Sequence, residues 1–228
     1  MLSNRPFVFA AGLCLICSFF LTFAATSLKP LQMKNQAVDK QKNILKVLKV
    51  LDENKAYSNE DIEALYTKNI KNRWVNENGE ILDKETGNPI FLYVKNNRID
   101  AYAIPISGYG LWSTLYGYFS VEGDGETVRG ITFYQHGETP GLGAEVEAKW
   151  FQDNFIGKKI ADRQGSFTSV GIVKGKVNDV VANDKRQYYV DGISGATVTS
   201  KGVENFLRDG LKNYEEFAKR LRQKERVI

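Results

Sequence analysis

The hydrophobic and polar positions divide the chain into three textures. Residues 7–28 form an unbroken stretch of 22 residues without a charged side chain, and as a helix it rises about 33 Å, enough to cross a hydrocarbon layer of about 30 Å. A cleaved secretory signal has an apolar run of only about 7–15 residues, so the pattern predicts a retained, single transmembrane helix. Beyond it Ala37, Ile44, Leu45, Leu48 and Leu51 recur at helical spacing among lysines, which predicts a helix over 32–51. Ser58 is placed to cap a second helix, with Glu60 and Asp61 in its first turn and Ile62, Leu65 and Ile70 on one face.

From about Trp74 the texture changes to short β-rich runs broken by Gly, Asn and Asp: 90–94, 99–106, 115–121, 128–134, 170–173 and 188–190. A helix over 144–155 interrupts them. The chain closes on a helix over 201–222, where Val203, Phe206, Leu207, Leu211, Tyr214 and Phe217 form one apolar stripe. Strands that follow one another without regular crossover helices predict an α+β fold with a mostly antiparallel sheet. The expected organisation is a tail over 1–6, the span over 7–28, a helical connector over 29–73, and a sheet domain with a C-terminal helix over 74–228.

Charge changes this picture little. Of 31 lysines and arginines one precedes Leu28, so the remainder meets 27 acids with only a slight basic excess, too little for a nucleic-acid partner with a dedicated basic face. One His and two Cys exclude a zinc ribbon, a histidine-rich metal site and a disulfide framework; no metal site is expected. Cys14 and Cys17 form C-x-x-C, but on one face of the span, where they read as small apolar packing residues. Lys29, Lys34, Lys40 and Lys42 after the span outnumber Arg5 before it, which favours a cytoplasmic domain. Long domains translocate largely regardless of charge, so residue counting leaves sidedness open.

Candidate chemistry is concentrated in two Gly-containing segments. Asp191-Gly192-Ile193-Ser194-Gly195-Ala196-Thr197-Val198-Thr199-Ser200 leads into the closing helix, with Thr199 or Ser200 as its natural N-cap. Free backbone N–H groups and the positive end of a helix dipole there would seat a phosphate beside Thr197; an ordinary, well-capped turn accounts for the same residues. In His136-Gly137-Glu138-Thr139-Pro140-Gly141-Leu142-Gly143-Ala144-Glu145, three glycines let backbone approach a flat ligand, and Glu138 and Thr139 offer hydrogen bonds to a heterocycle. A Gly-rich turn before a helix explains these too. Trp112, within Gly108–Thr114, offers an aromatic wall, and Lys174 a cation for phosphate. There is no Walker loop and no Gly-x-Ser-x-Gly elbow.

Asp-x-x-Ser-Gly-Ala-Thr at 191–197, together with Glu-Thr-Pro-Gly-Leu-Gly at 138–143, resembles the covalent FMN-binding domain of the C subunit of the Na⁺-translocating NADH:quinone reductase, shared with the G subunit of the Rnf-type complex. The unbroken His-Gly-Glu-Thr-Pro-Gly-Leu-Gly, Trp150 and Gly157-Lys158-Lys159 are closer to the Na⁺-pump branch. The resemblance implies FMN attached through its phosphate to Thr197. It implies a separate flavin transferase that uses FAD and recognises the motif Asp191, Ser194, Gly195, Ala196 and Thr197. Glu138, Thr139, Leu142 and Gly143 are then expected to line the flavin, with Trp112 nearby, Lys174 at a polar edge and Thr199 among the binding residues. It further implies an electron-carrying subunit, not catalytic alone, of a six-subunit NADH:quinone reductase coupled to Na⁺ export in the bacterial inner membrane, with the soluble domain periplasmic. A tethered module holding a phosphorylated ligand without a covalent bond, or a purely structural anchor, are the alternatives that the local patterns leave open.

Overall fold

The computed structural model describes residues 5–52, 54–96 and 98–224, so most of the expected tail over 1–6 lies outside the described residues. Two compact units divide at Asp39 and Lys40. Helix α1 (Arg5–Val47) is 43 residues long, so the expected span and the expected connector helix are one continuous helix, with Pro30 inside it. In the first unit Phe9, Leu15, Phe19, Leu21 and Phe23 are all exposed by more than 60%. Such an apolar surface is unfavourable in water and suits lipid, and the helix is long and apolar enough to cross a membrane.

The helix stops at Val47, short of the expected Leu51, because the chain turns left-handed at Lys49 (φ 53°). The N–H of Val50 then donates to the Leu45 carbonyl and that of Lys49 to the Lys46 carbonyl, closing the helix end. Helix α2 (Asn59–Asn69) begins as expected, with Ser58 and Asp61 forming a reciprocal capping box.

The second unit is built on a six-stranded sheet. Its strands are β1 (Ile70–Val75), β2 (Ile81–Leu82), β3 (Asn88–Lys95), β4 (Arg98–Tyr109), β5 (Thr114–Glu122) and β6 (Val128–Gln135), in the order β2-β1-β3-β4-β5-β6. Every pairing in it is antiparallel. Strands β1 and β2 fall within or beside the stretch expected to be helical connector and loop. β1 reads Ile-Lys-Asn-Arg-Trp-Val, with two polar residues exposed at the sheet margin, so it lacks the alternation that marks a strand.

The expected helix over 144–155 is a 3₁₀ turn (Gly143–Glu147) followed by α3 (Lys149–Asp153), separated by extended backbone at Ala148. Next come β7 (Gly171–Ile172), the single turn α4 (Val177–Val180), a 3₁₀ turn (Asn183–Tyr188) and β8 (Tyr189–Val190), which pairs with β7 in parallel. The closing helix is two helices, α5 (Thr197–Lys212) and α6 (Glu215–Arg222), which meet at Asn213 and Tyr214. Val203, Leu207, Leu211 and Phe217 are buried against Ile104, Phe119 and Phe151, and the Phe217 ring meets Tyr102 edge-on at 5.1 Å. The apolar stripe is therefore the face that packs on the sheet, and this packing fixes where the first turn of α5 lies.

Candidate functional site

Helix α5 starts at Thr197, four residues ahead of its expected start. Its N-cap is Ala196, and no side chain caps it. Ile193 and Ala196 are buried and anchor the turn, the N–H of Ala196 donates to the Ile193 carbonyl at 3.1 Å, and Gly195 takes the positive φ of 75° that the turn requires. Ser194, Gly195 and Thr197 are left exposed.

The expected caps do other work. Thr199 is 1% exposed and its hydroxyl donates to Glu138 Oε2 at 2.7 Å, while the Ser200 hydroxyl accepts from the Ile193 N–H at 3.2 Å. An earlier helix start puts both residues inside the first turn, on its buried side.

A cleft of about 700 Å³ opens beside this helix start, with Ser194, Gly195, Thr197 and Lys174 on its wall. Ile172, Val173 and Trp150 give the wall apolar surface, and Lys174, Lys176 and Lys201 give it positive charge. Lys176 lies 3.0 Å from Asp191 and Lys201 2.6 Å from Glu204; among the described residues Lys174 makes no ion pair. The Trp150 indole N–H donates to Glu145 Oε2 at 3.0 Å, which fixes the ring. Leu142 is half-exposed and lies beside Gly195, where any Cβ would meet its Cδ2 at 2.8 Å.

Asp191 stands behind this wall. Its carboxylate accepts the Val177 N–H at 2.8 Å and holds Lys176. Burial pushes its carboxyl up, but the Val177 N–H and Lys176 outweigh that and hold it below the usual carboxylate range.

Glu138 points inward. It is 5% exposed, and Oε1 accepts the backbone N–H groups of Trp112 at 2.9 Å and of Leu111 and Ser113 at 3.1 Å, while Oε2 takes the Thr199 hydroxyl. Burial raises its carboxyl, yet these donors, Thr199 first, hold it below its ordinary value. The one carboxylate ties the β4–β5 turn to the first turn of α5. Gly143 is required at this knot, since a Cβ there would sit 2.5 Å from Glu138 Oε2. Trp112 is 71% exposed, and its backbone N–H is the donor to Glu138. Thr139 is exposed and its carbonyl accepts the N–H groups of Leu142 and Ala144, both at 3.1 Å.

Thus Ser194, Gly195, Thr197 and Lys174 share one cleft, with Leu142 at its edge. Glu138, Gly143 and Thr199 form a buried knot beside it, and Thr139, Trp112, Asp191 and Ala196 are not on the cleft wall. Lys176, Lys201 and Glu204 line it although no local pattern marks them, and Glu145, the last residue of the second Gly-containing segment, and Trp150, a marker of lineage in the sequence, join them there. An exposed hydroxyl at an uncapped helix start, beside a wall both apolar and cationic, fits a flat apolar body carrying a phosphate, as FMN is.

The chain matches the model of the FMN-binding domain over residues 110–212. It is 34% identical to the C subunit of the Na(+)-translocating NADH-quinone reductase of Pseudomonas aeruginosa, covering 98% of this chain and 97% of that one. It is 36% identical to the same subunit of Pasteurella multocida, over 92% and 91% of the two chains. The crystal structure of the C subunit from Parabacteroides distasonis superposes with a TM-score of 0.71 at 37% identity, covering 84% of this chain and 96% of that one. With its antiparallel sheet, its long apolar helix and its flavin-domain match, the chain belongs to the C-subunit family of the Na(+)-translocating NADH-quinone reductases.

Proposed function

We propose that this chain carries FMN esterified through its phosphate to Thr197, and relays electrons within an NADH:quinone reductase that exports Na⁺. The carrying observation is the exposed Thr197 hydroxyl at an uncapped helix start on the cleft wall. Attachment joins the hydroxyl oxygen to the FMN phosphorus of FAD and releases AMP, with a separate flavin transferase as catalyst. The resulting diester keeps one negative charge at the start of α5, where the dipole and free N–H groups favour it by about 0.3–2 kcal/mol. FMN supplies the redox chemistry when bound. Lys174 and its neighbouring lysines balance the phosphate charge, Trp150 and Val173 give apolar surface and exclude water, and the Glu138 knot holds the first turn of α5 in place. The covalent bond keeps the cofactor from being lost to water.

In this reading α1 is a single-pass anchor in a bacterial inner membrane, the second unit is periplasmic, and five further subunits complete the assembly. Peptide mapping of protein taken from its native membrane tests the central point. A peptide containing residue 197 that bears the mass of FMN is expected; a bare peptide would overturn the reading, and flavin released on denaturation would make the chain a non-covalent binder.

Asp191→Asn gives a second test. Loss of the Lys176 pair and weakening of the bond from Val177 are expected to cost about 1–2 kcal/mol, too little to unfold the domain, while flavin loading by the transferase falls at least tenfold. Normal loading of a folded Asp191→Asn protein would remove Asp191 from the recognition motif.

A further inference from the structure

We propose that the β4–β5 turn and the start of α5 form a docking surface for an uncharged, apolar face of another subunit of the reductase. Residues 101–121 contain no charged side chain, and at the turn between the two strands Tyr109, Leu111 and Trp112 are 78%, 51% and 71% exposed. Val198, 56% exposed in the first turn of α5, extends the patch. It lies four residues ahead of Gly202, on the same helix face, and a Cβ at Gly202 would sit 2.2 Å from the Tyr109 carbonyl oxygen. Tyr109 and Trp112 alone leave on the order of 300 Å² of aromatic side chain open to water. With Leu111 and Val198 added, the patch reaches the size at which an exposed apolar surface marks a binding site.

The turn is held before anything binds. The Gly110 N–H donates to the Ser113 carbonyl at 2.9 Å, the Ser113 hydroxyl accepts the Gly137 N–H at 2.6 Å, and Glu138 takes the N–H groups of Leu111, Trp112 and Ser113. The strand leading into it lies directly on α5, since a Cβ at Gly108 would meet the Phe206 Cβ at 2.3 Å. A buried carboxylate spent on the backbone of an exposed turn fixes that backbone in advance, which lowers the ordering cost of association. Aromatic side chains on a fixed, uncharged turn have the composition of a protein-interface core, where Trp and Tyr carry most of the binding energy. The other two occupants fit less well. A loop that enters a bilayer surface carries basic residues for anionic headgroups, and this run has none. A flavin on Thr197 has the cleft of about 700 Å³, whose wall includes none of the four patch residues. A protein partner is supplied by the family, whose members are subunits of NADH-quinone reductases. A standard interface covers about 800 Å² on each side, so the patch has the size of its apolar centre. Val198 adjoins Thr197, so a subunit seated here stands next to the flavin; that nearness rests on the Thr197 reading, whereas the docking does not.

The test uses the assembled complex in its native membrane. With the photoreactive p-benzoylphenylalanine in place of Tyr109, irradiation is expected to join this chain to another subunit of the reductase, identified by peptide mass. In Tyr109→Ser/Leu111→Ser, the share of this chain that stays with the complex through detergent extraction should fall at least tenfold, while the isolated chain melts at the wild-type temperature. Acrylamide quenching of Trp112, taken as the difference between wild type and Trp112→Phe, reads the other occupants in the isolated full-length chain. It should be the same in lipid nanodiscs as in detergent, and the same with and without flavin. Shielding by lipid alone or by flavin alone would assign the patch to that occupant and overturn the proposal. Crosslinks confined to lipid or to this chain, or full retention of the double variant, would overturn it as well. Flavin on Thr197 is read separately as the fluorescent band in a denaturing gel. A dark band with the crosslink intact would sink the Thr197 reading alone, and a bright band without the crosslink would sink the docking surface alone.

Discussion

Thr197→Ala, co-expressed with the flavin transferase, is expected to give a band that is dark under ultraviolet light in a denaturing gel where the wild-type band fluoresces yellow. The expected effect is a fall in covalent flavin from near-stoichiometric to none, because no other hydroxyl on the cleft wall combines exposure with a place at the uncapped first residue of α5. Ser200 also lines the cleft, but it is 5% exposed and its oxygen accepts the Ile193 N–H. Ser194 is exposed but precedes the helix, away from its first N–H groups. Removing an exposed side chain that makes no cap bond should change stability by no more than about 0.5 kcal/mol, so lost flavin in a protein of unchanged melting temperature separates chemistry from folding. Thr197→Ser is expected to restore part of the fluorescence, because the nucleophile is retained on a less constrained side chain. A fluorescent Thr197→Ala band would move the attachment elsewhere.

Glu138→Gln is expected to have the largest effect on stability. The amide keeps one acceptor oxygen but replaces the other with a donor, in a pocket where three backbone N–H groups and the Thr199 hydroxyl already donate. Losing a charged acceptor at a buried site should cost about 2–3 kcal/mol, a fall in melting temperature of roughly 5–10 °C for a domain of this size. The pH dependence gives an independent check. The folded carboxyl is held below its unfolded value of about 4.3, so its contribution is fully present above that value and is lost as pH falls through the folded pKa. The wild-type advantage over Glu138→Gln should therefore be constant from pH 7 to 5 and shrink below about pH 4. An advantage independent of pH down to 3 would mean that the ionised carboxylate is not what holds the knot.

Much of this protein was legible in the order of its residues. The uncharged run over 7–28 is a local property, and nothing but a membrane or a protein interior accommodates it; the long helix of the structure contains it. The β-rich runs that form β3 to β6 and the apolar stripe of α5 and α6 likewise follow from neighbours in sequence, because a short run bounded by turn residues and a helical spacing of apolar residues are both local patterns. The motif at 191–197, a turn with small residues leading into a helix, could be read in the same way. Only folding decided what its neighbours do. Glu138 and Thr199 both stand out in the sequence, but for flavin contact and capping. Their partners lie 25 to 61 residues away, and no local pattern states that a carboxylate will be consumed by distant backbone N–H groups. The same holds for Trp150, Lys176 and Lys201, which meet on one wall because α3, the β7–β8 pair and α5 converge there. Local sequence thus determined most of the elements and the small-residue turn that leads to Thr197, since both depend on residues within a turn or two. The tertiary structure decided which polar groups stay free and which are spent holding the site together, because that balance is struck between segments far apart in the chain.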